Sequence, residues 1–457
     1  MYLSRILKDL TNKSKIASEH TTFCYFLLCL PFIWSGISQR IFDITDLYWI
    51  GRLGRDAINA ASVSSSLGML VFFLCFLVSN GAQVPLAQAY KSNKDEYQSL
   101  RSTSFYLIIL LSILLTVPLF IFAGPLLELT VNGKTLSHDS ILFLRVFTLG
   151  LPLQMYFNYF SRVLAIERNM TYVNRSRLYS LFLNFILDPL LIFGFSIIPR
   201  VGVTGAAVAT VITKVWSAWY ISRNYHGAIL PNHPFRIRIA KEILELGLPT
   251  TLLALAKPIV GIMYVHIFAT LSTDALAAYN ISNRVFNIVF LFTTGIDIAL
   301  TTEFAHLYMD KTDNINETNA IRSGLEVAII FLVIFALAVL LFAKPIAMAF
   351  SHEANFSDLT AEFLALRLLA VPGLVLTAVY QAALKAQRKS KVAMLTGLIP
   401  ISATIVILVL GKDRLTAPAA FIVIAASMTM EGLLSFFFFR FSSCIVQTAK
   451  RLTFSLS

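Results

Sequence analysis

Charge is what this chain has least of. Only 14% of its 457 residues are Asp, Glu, Lys or Arg, against 57% hydrophobic, where soluble domains carry about 25% charged residues. That shortage excludes an ordinary soluble protein and points to an integral membrane protein. Long polar stretches are also missing: the longest runs from Arg223 to Lys241 and leaves no room for a sizeable soluble domain. Cysteine is scarce, and Cys24, Cys29, Cys75 and Cys444 lie in or beside apolar runs without metal-ligand spacing, so they read as packing thiols. Enzyme signatures are absent: there is no GxxxxGK[ST], HExxH or GxSxG. No enzyme activity, resident cofactor or metal is expected, and energy must come from an ion gradient or from the solute itself. The net charge of +12 would suit nucleic acid, but the basic residues collect in alternate loops beside apolar segments. That pattern is membrane topology, with the lipid bilayer rather than nucleic acid as partner.

What is present is a series of apolar segments, each near the roughly 20 residues a span needs. Twelve are centred near residues 35, 70, 114, 153, 188, 212, 259, 290, 335, 374, 401 and 428. The architecture expected is therefore all-α, with twelve transmembrane helices in two pseudo-symmetric six-helix lobes. The Lys/Arg bias puts both termini in the cytoplasm. The expected boundaries are a segment at 1–20, an N-lobe at 21–222, a linker at 223–241, a C-lobe at 242–445 and a tail at 446–457. Lys13 and Lys15 before FCYFLLCLPFIW resemble a signal peptide, but no small-x-small cleavage site follows, so this segment reads as a retained first helix.

The chain repeats itself. Leu53–Ser64 aligns with Leu271–Ser282 at an offset of 218, and Phe143–Pro152 with Phe363–Pro372 at 220. Leu164–Asn169 matches Leu384–Lys389 at the same offset. An even number of spans per repeat relates the halves by a pseudo-two-fold along the membrane normal. At these offsets Asp46 falls on Tyr264 and Asp188 on Leu408, so both acids are unique to the first half.

Those two acids are the chief functional candidates, because a carboxylate inside a span costs about 2.5–3.5 kcal/mol on insertion scales and is rarely kept without a task. Carrying a proton or holding a cation are the evident tasks. In the first span, Pro31 frees a backbone carbonyl and permits a bend, and Gln39, Asp43 and Asp46 follow on one face. Asp43 also has Arg40 as a plain partner. In the fifth span, Asn184 and Asp188 stack at i, i+4, with Pro189 beside the acid. A satisfied interhelical hydrogen bond is the alternative to a proton site there. Gly202, Gly205, Ala206, Ala207 and Ala209 then give a small-residue packing face, where Thr210 either packs or offers a hydroxyl to the acids.

Pro31, Asp46, Gly51 and Gly54, together with Asn184, Asp188, Pro189, Phe193, Gly194, Gly202, Gly205, Ala206, Ala207, Ala209 and Thr210, resemble the multidrug and toxic compound extrusion (MATE) family across essentially the whole chain. The resemblance implies an antiporter exporting amphipathic organic compounds in exchange for H+ or Na+, and a monomer in the cell inner membrane. In the DinF-like branch, the coupling acids correspond to Asp46 and Asp188. Gln39, Asn158, Asn184 and Thr210 match cavity-lining polar positions, and protonation bends the first helix at the position of Pro31. Na+ at Asp46 and Asp188 stays open. Another branch carries acids in the seventh and tenth spans. Here the first of those positions is Lys257 and the tenth span has no acid, so a C-lobe cation site is not expected.

Lys257, Arg284, Asp297 and Glu303 are further in-span charges. Lys257 is expected either to pair with Asp297 or to face the cavity and favour anionic or zwitterionic substrates. Arg367 and Lys344 are expected to snorkel to the interfaces. Rival readings are a lipid-linked saccharide flippase of the same superfamily, an organic-anion exporter using Lys257, and a membrane transferase, which would need a larger acidic loop than any present.

Overall fold

The computed structural model describes residues 22–130, 138–195, 199–225, 231–308, 314–350, 354–411 and 414–454. Fifteen α-helices run in the order α1 Thr22–Gly51, α2 Arg55–Ser92, α3 Lys94–Ile121, α4 Ala123–Thr130, α5 His138–Leu149, α6 Leu151–Ile166, α7 Met170–Phe193, α8 Val203–Asn224, α9 Ile237–Leu271, α10 Thr273–Leu307, α11 Asn314–Phe350, α12 Ala354–Arg367, α13 Val371–Ala386, α14 Ser390–Leu410 and α15 Ala417–Phe454. Ten segments among the described residues are long and apolar enough to cross a membrane. The two remaining long helices are α2 and α8, which are richer in small and hydroxyl-bearing residues. With α5–α6 and α12–α13 each counted as one crossing, a helix covers every one of the twelve expected spans. The fold is an all-helical membrane protein.

Contacts sort the chain into two compact units. The first-half unit is 34–251, and the second-half unit gathers the helical residues up to Ile33 and from Leu252 onward. Helix α1 runs unbroken through Pro31, and α7 through Pro189.

Both units carry the same two backbone devices. The fourth crossing breaks at Gly150 and the tenth at Leu368–Ala370, with a proline in the first turn of the next helix in each case. Proline suits that position, since no N–H is needed there. Then α6 ends at Arg168 (φ 55°) and α13 at Arg388 (φ 61°), the two positive-φ residues besides glycine in the described backbone. Around Arg168, the Asn169 N–H donates to Leu164 O (2.7 Å) and the Arg168 N–H to Ala165 O (3.0 Å). Around Arg388, the Lys389 N–H donates to Leu384 O (3.0 Å) and the Arg388 N–H to Lys385 O (2.8 Å). Both are Schellman turns built on arginine instead of glycine.

Side chains beside the turns repeat as well. Glu167 accepts from the hydroxyls of Tyr97 (2.8 Å) and Tyr225 (2.9 Å), and Arg101 donates to Tyr225. Burial, and next the charge of Glu167, push the Tyr225 hydroxyl above its ordinary pKa, so it remains a donor. At an offset of 220, Glu317 and Gln387 replace Tyr97 and Glu167. There the Tyr308 hydroxyl donates to Glu317 (2.6 Å) and accepts from Gln387 (2.7 Å).

The cores differ. In the second-half unit, Phe268, Tyr279, Phe363 and Phe421 interlock, with Phe363 and Phe421 centroids 3.9 Å apart, and Tyr264 and Leu408 belong to the same cluster. Arg367 does not reach outward as snorkelling requires. It is 3% exposed, sits over the rings of Tyr279, Phe286 and Phe421 at 5.1–5.7 Å, and donates to Asn283. Three aromatic faces and an amide replace water around the guanidinium more effectively than snorkelling would. Lys344 pairs with Asp358 at 3.0 Å, both well exposed. In the first-half unit, α7 and α8 meet closely: a Cβ on Gly205 would stand 2.6 Å from Leu191 O, and Ala206, Ala207 and Ala209 are buried. This close approach places Asp188 opposite Thr210's helix.

Candidate functional site

Three helices of the first-half unit converge on the two acids. Asp188 and Asn184, one turn apart on α7, are both fully buried. The Asn184 Nδ2 donates to Asp188 Oδ1 at 3.1 Å. From α8, the Thr210 hydroxyl donates to Asp46 Oδ2 at 3.2 Å. Asp46 and Asp188 are near enough for each carboxyl to act on the charge of the other. Three buried oxygens, Asp46 Oδ1, Asp188 Oδ2 and Asn184 Oδ1, have no hydrogen-bond donor. Two ionised carboxylates at this range repel, and an unpartnered buried oxygen costs about 1–3 kcal/mol. A shared proton or a bound cation relieves both penalties. Trp49, one turn on from Asp46, stands edge-on to Phe185 and Phe193.

Two to three turns along the same helices toward the N-terminus of α7, a cleft opens beside Gln39, Phe42, Phe157, Arg177 and Lys214. Gln39 sits between charges of opposite sign: its Nε2 donates to Asp43 Oδ1 (3.0 Å) and its Oε1 accepts from Arg177 (3.0 Å). Asp43 also faces Arg40 at 3.6 Å. Asn158 is buried and accepts from Gln154 on its own helix; Gln154, rather than Asn158, lines the cleft.

Lys257 falls in the second-half unit and does not pair with Asp297. Its partner is Glu431 on α15, at 3.5 Å, while Asp297 pairs with Lys385 on α13 at 2.5 Å. Lys385 wins Asp297 because α10 and α13 pack directly and both groups are mostly shielded, whereas the Lys257 side chain is 44% exposed. Glu431 was not foreseen. It is 5% exposed and also accepts from Gln381 (3.0 Å), next to Thr396 and Ser435. Its signal was an acid alone inside SMTMEGLLSFFFF. Among the described residues, no group of three or more His, Cys, Asp and Glu is placed to hold a metal. Neither Cys24 nor Cys29 forms a disulfide, and Cys29 is fully buried; the side chains of Cys75 and Cys444 lie outside the described residues.

The MatE family pattern matches residues 31–190 and again 249–410. The chain belongs to the MatE family. Its two matches begin 218 residues apart and end 220 apart, which is the spacing of the internal repeat. Among its relatives is a probable multidrug resistance protein NorM of Thermotoga maritima, 24% identical over 73% of this chain and 73% of that protein. A FAD transporter of Shewanella oneidensis is 23% identical over 72% and 74%. An outward-facing multidrug resistance MATE transporter of the MOP superfamily superposes with a TM-score of 0.84 at 17% identity, over 96% of this chain and 99% of that one. A MOP superfamily transporter from Pyrococcus furiosus, described as having a binding pocket of reverse polarity, superposes at 0.80 with 18% identity, over 92% and 96%. The protein is thus a multi-pass membrane transporter of the MATE family, and not an enzyme.

Proposed function

We propose that this MATE protein is a proton-coupled antiporter that exports amphipathic organic compounds by alternating access, and that it belongs to the DinF-like branch. The observation that carries the proposal is the buried Asp46–Asp188 pair with its three donorless oxygens. Protonation turns one carboxyl into a donor for the other and removes the repulsion. Release of the proton on the opposite side restores the charged pair, and the conformation that accompanies it is the one that takes up solute. Coupling follows when proton and solute favour different states by a few kcal/mol. The names of the multidrug-resistance relatives support the solute class, and a bend of α1 at Pro31 or of α7 at Pro189 would transmit the change. Cytoplasmic termini, an inner-membrane location, a monomer, and lobes at 21–222 and 242–445 complete the proposal.

The test is efflux of a fluorescent organic compound from proteoliposomes. An imposed pH gradient is expected to drive it, and Asp188→Asn to reduce it at least about tenfold, below the roughly hundredfold or more that a positioned proton-transfer group supplies. Gradient-driven efflux that survives Asp188→Asn overturns the proton site. The same three oxygens would also suit Na+. Efflux that needs Na+, and fails with choline at fixed pH, would assign the pair to sodium.

A further inference from the structure

The first-half cleft is cationic at one end. Arg177, Asn184 and Asp188 fall on one stripe of α7, and seven residues of helix put Arg177 about 10 Å from Asn184. Helix α1 repeats the arrangement, with Gln39 seven residues before Asp46, and α8 does so with Lys214 four residues after Thr210. Each helix therefore presents its acid-site residue at one level and a cleft residue one to two turns away. The Arg177 guanidinium lies over Phe157 at 4.9 Å, and its Nε is buried without a hydrogen-bond acceptor. The Lys214 ammonium lies over Phe147 at 4.7 Å. Asp43 is the acid whose charge reaches both cations, and it is already held by Gln39 and faced by Arg40. Arg40, Lys214 and Arg177 thus gather around this one carboxylate at the cationic end.

We propose that this cleft binds the anionic group of the transported solute, a carboxylate or phosphate ester on an aromatic body, between Arg177 and Lys214. Guanidinium and ammonium groups supply charge-assisted donors to such an anion, with the Arg177 Nε the donor left over. Phe42 and Phe157 line the same cleft and offer apolar faces to the rest of the molecule. Ser38 and Ser217 complete the polar rim. An anion here sits about two turns from Asp46 along α1 and about three from Asp188 along α7, so it is excluded from the acid pair by like charge and held at the cationic end instead. The solute class therefore differs from the organic cations that a pair of bare acids would select.

The inference rests on the antiporter reading for the word transported, yet its test needs no gradient. Equilibrium binding to the purified full-length protein in detergent is read by anisotropy with two xanthene dyes of similar size, the dianion fluorescein and the monocation rhodamine 6G. Fluorescein is expected to bind about tenfold or more tightly than rhodamine 6G, given two charge-assisted contacts. Arg177→Gln with Lys214→Gln is expected to abolish that preference, and Lys241→Gln, on an exposed helical surface, to leave it intact. Equal or tighter binding of the cation by the unaltered protein overturns the proposal, as does an anion preference that persists in the double variant. Dioctanoyl phosphatidylglycerol is the competitor. If it displaces fluorescein fully at equal concentration, the cations hold lipid headgroups and the solute proposal falls. Each single variant, Arg177→Lys included, guards against misfolding of the double: Arg177→Lys keeps the charge and is expected to retain most of the preference. Failure of the efflux test with fluorescein binding intact would remove proton coupling and leave the anion site standing.

Discussion

Glu431 shows how much one acid does inside an apolar helix. It holds Gln381 at 3.0 Å and Lys257 at 3.5 Å while 5% exposed, so removing its oxygens leaves two donors short of an acceptor. Glu431→Leu is expected to lower stability by about 1–3 kcal/mol, and Glu431→Gln, which keeps one acceptor, by less; thermal unfolding in detergent reads both. The in-span acids Asp46 and Asp188 were legible from sequence because a carboxylate in a membrane segment is conspicuous. Their pairing followed from the family resemblance. The partners of Lys257, Asp297 and Arg367 were not legible. Which side chain meets which depends on how each helix is rotated about its axis, and helices apolar on nearly every side carry little periodicity from which to read that rotation.

At the scale of elements, the crossings themselves were legible, because a span is defined by its apolar length alone. The breaks at Gly150 and Leu368–Ala370 were only half visible, as Pro152 and Pro372 mark the restart but not the short 3₁₀ turn before α13. The arginine Schellman turns were invisible, since sequence reasoning expects glycine in a left-handed position. An L-residue there costs roughly 1–2 kcal/mol. Arg168→Gly is therefore expected to hold or raise the unfolding temperature, and Arg168→Val, β-branched at positive φ, to lower it. The same contrast is expected at Arg388. Equal effects of Gly and Val would mean that the Arg168 side chain, not the backbone, matters.

Across the whole molecule, the duplication explains what is shared and isolates what is not. Where the first half has Asp46 and Asp188, the second has Tyr264 and Leu408 inside an aromatic core. At these matched positions one half keeps an unsatisfied polar cluster and the other packs rings and aliphatics. Reciprocal substitutions measure that division. Leu408→Asp is expected to destabilise strongly, since the carboxylate meets only rings and aliphatics. Asp188→Leu is expected to be near neutral in thermal unfolding while silencing transport; comparable losses in both would refute the asymmetry. The turn at Arg168 carries a consequence for natural length variation. It joins α6 to α7 so tightly that one inserted residue would rotate α7 by about 100° and advance it about 1.5 Å, swinging Asp188 away from Asp46. Insertions and deletions should therefore be purged at 166–170.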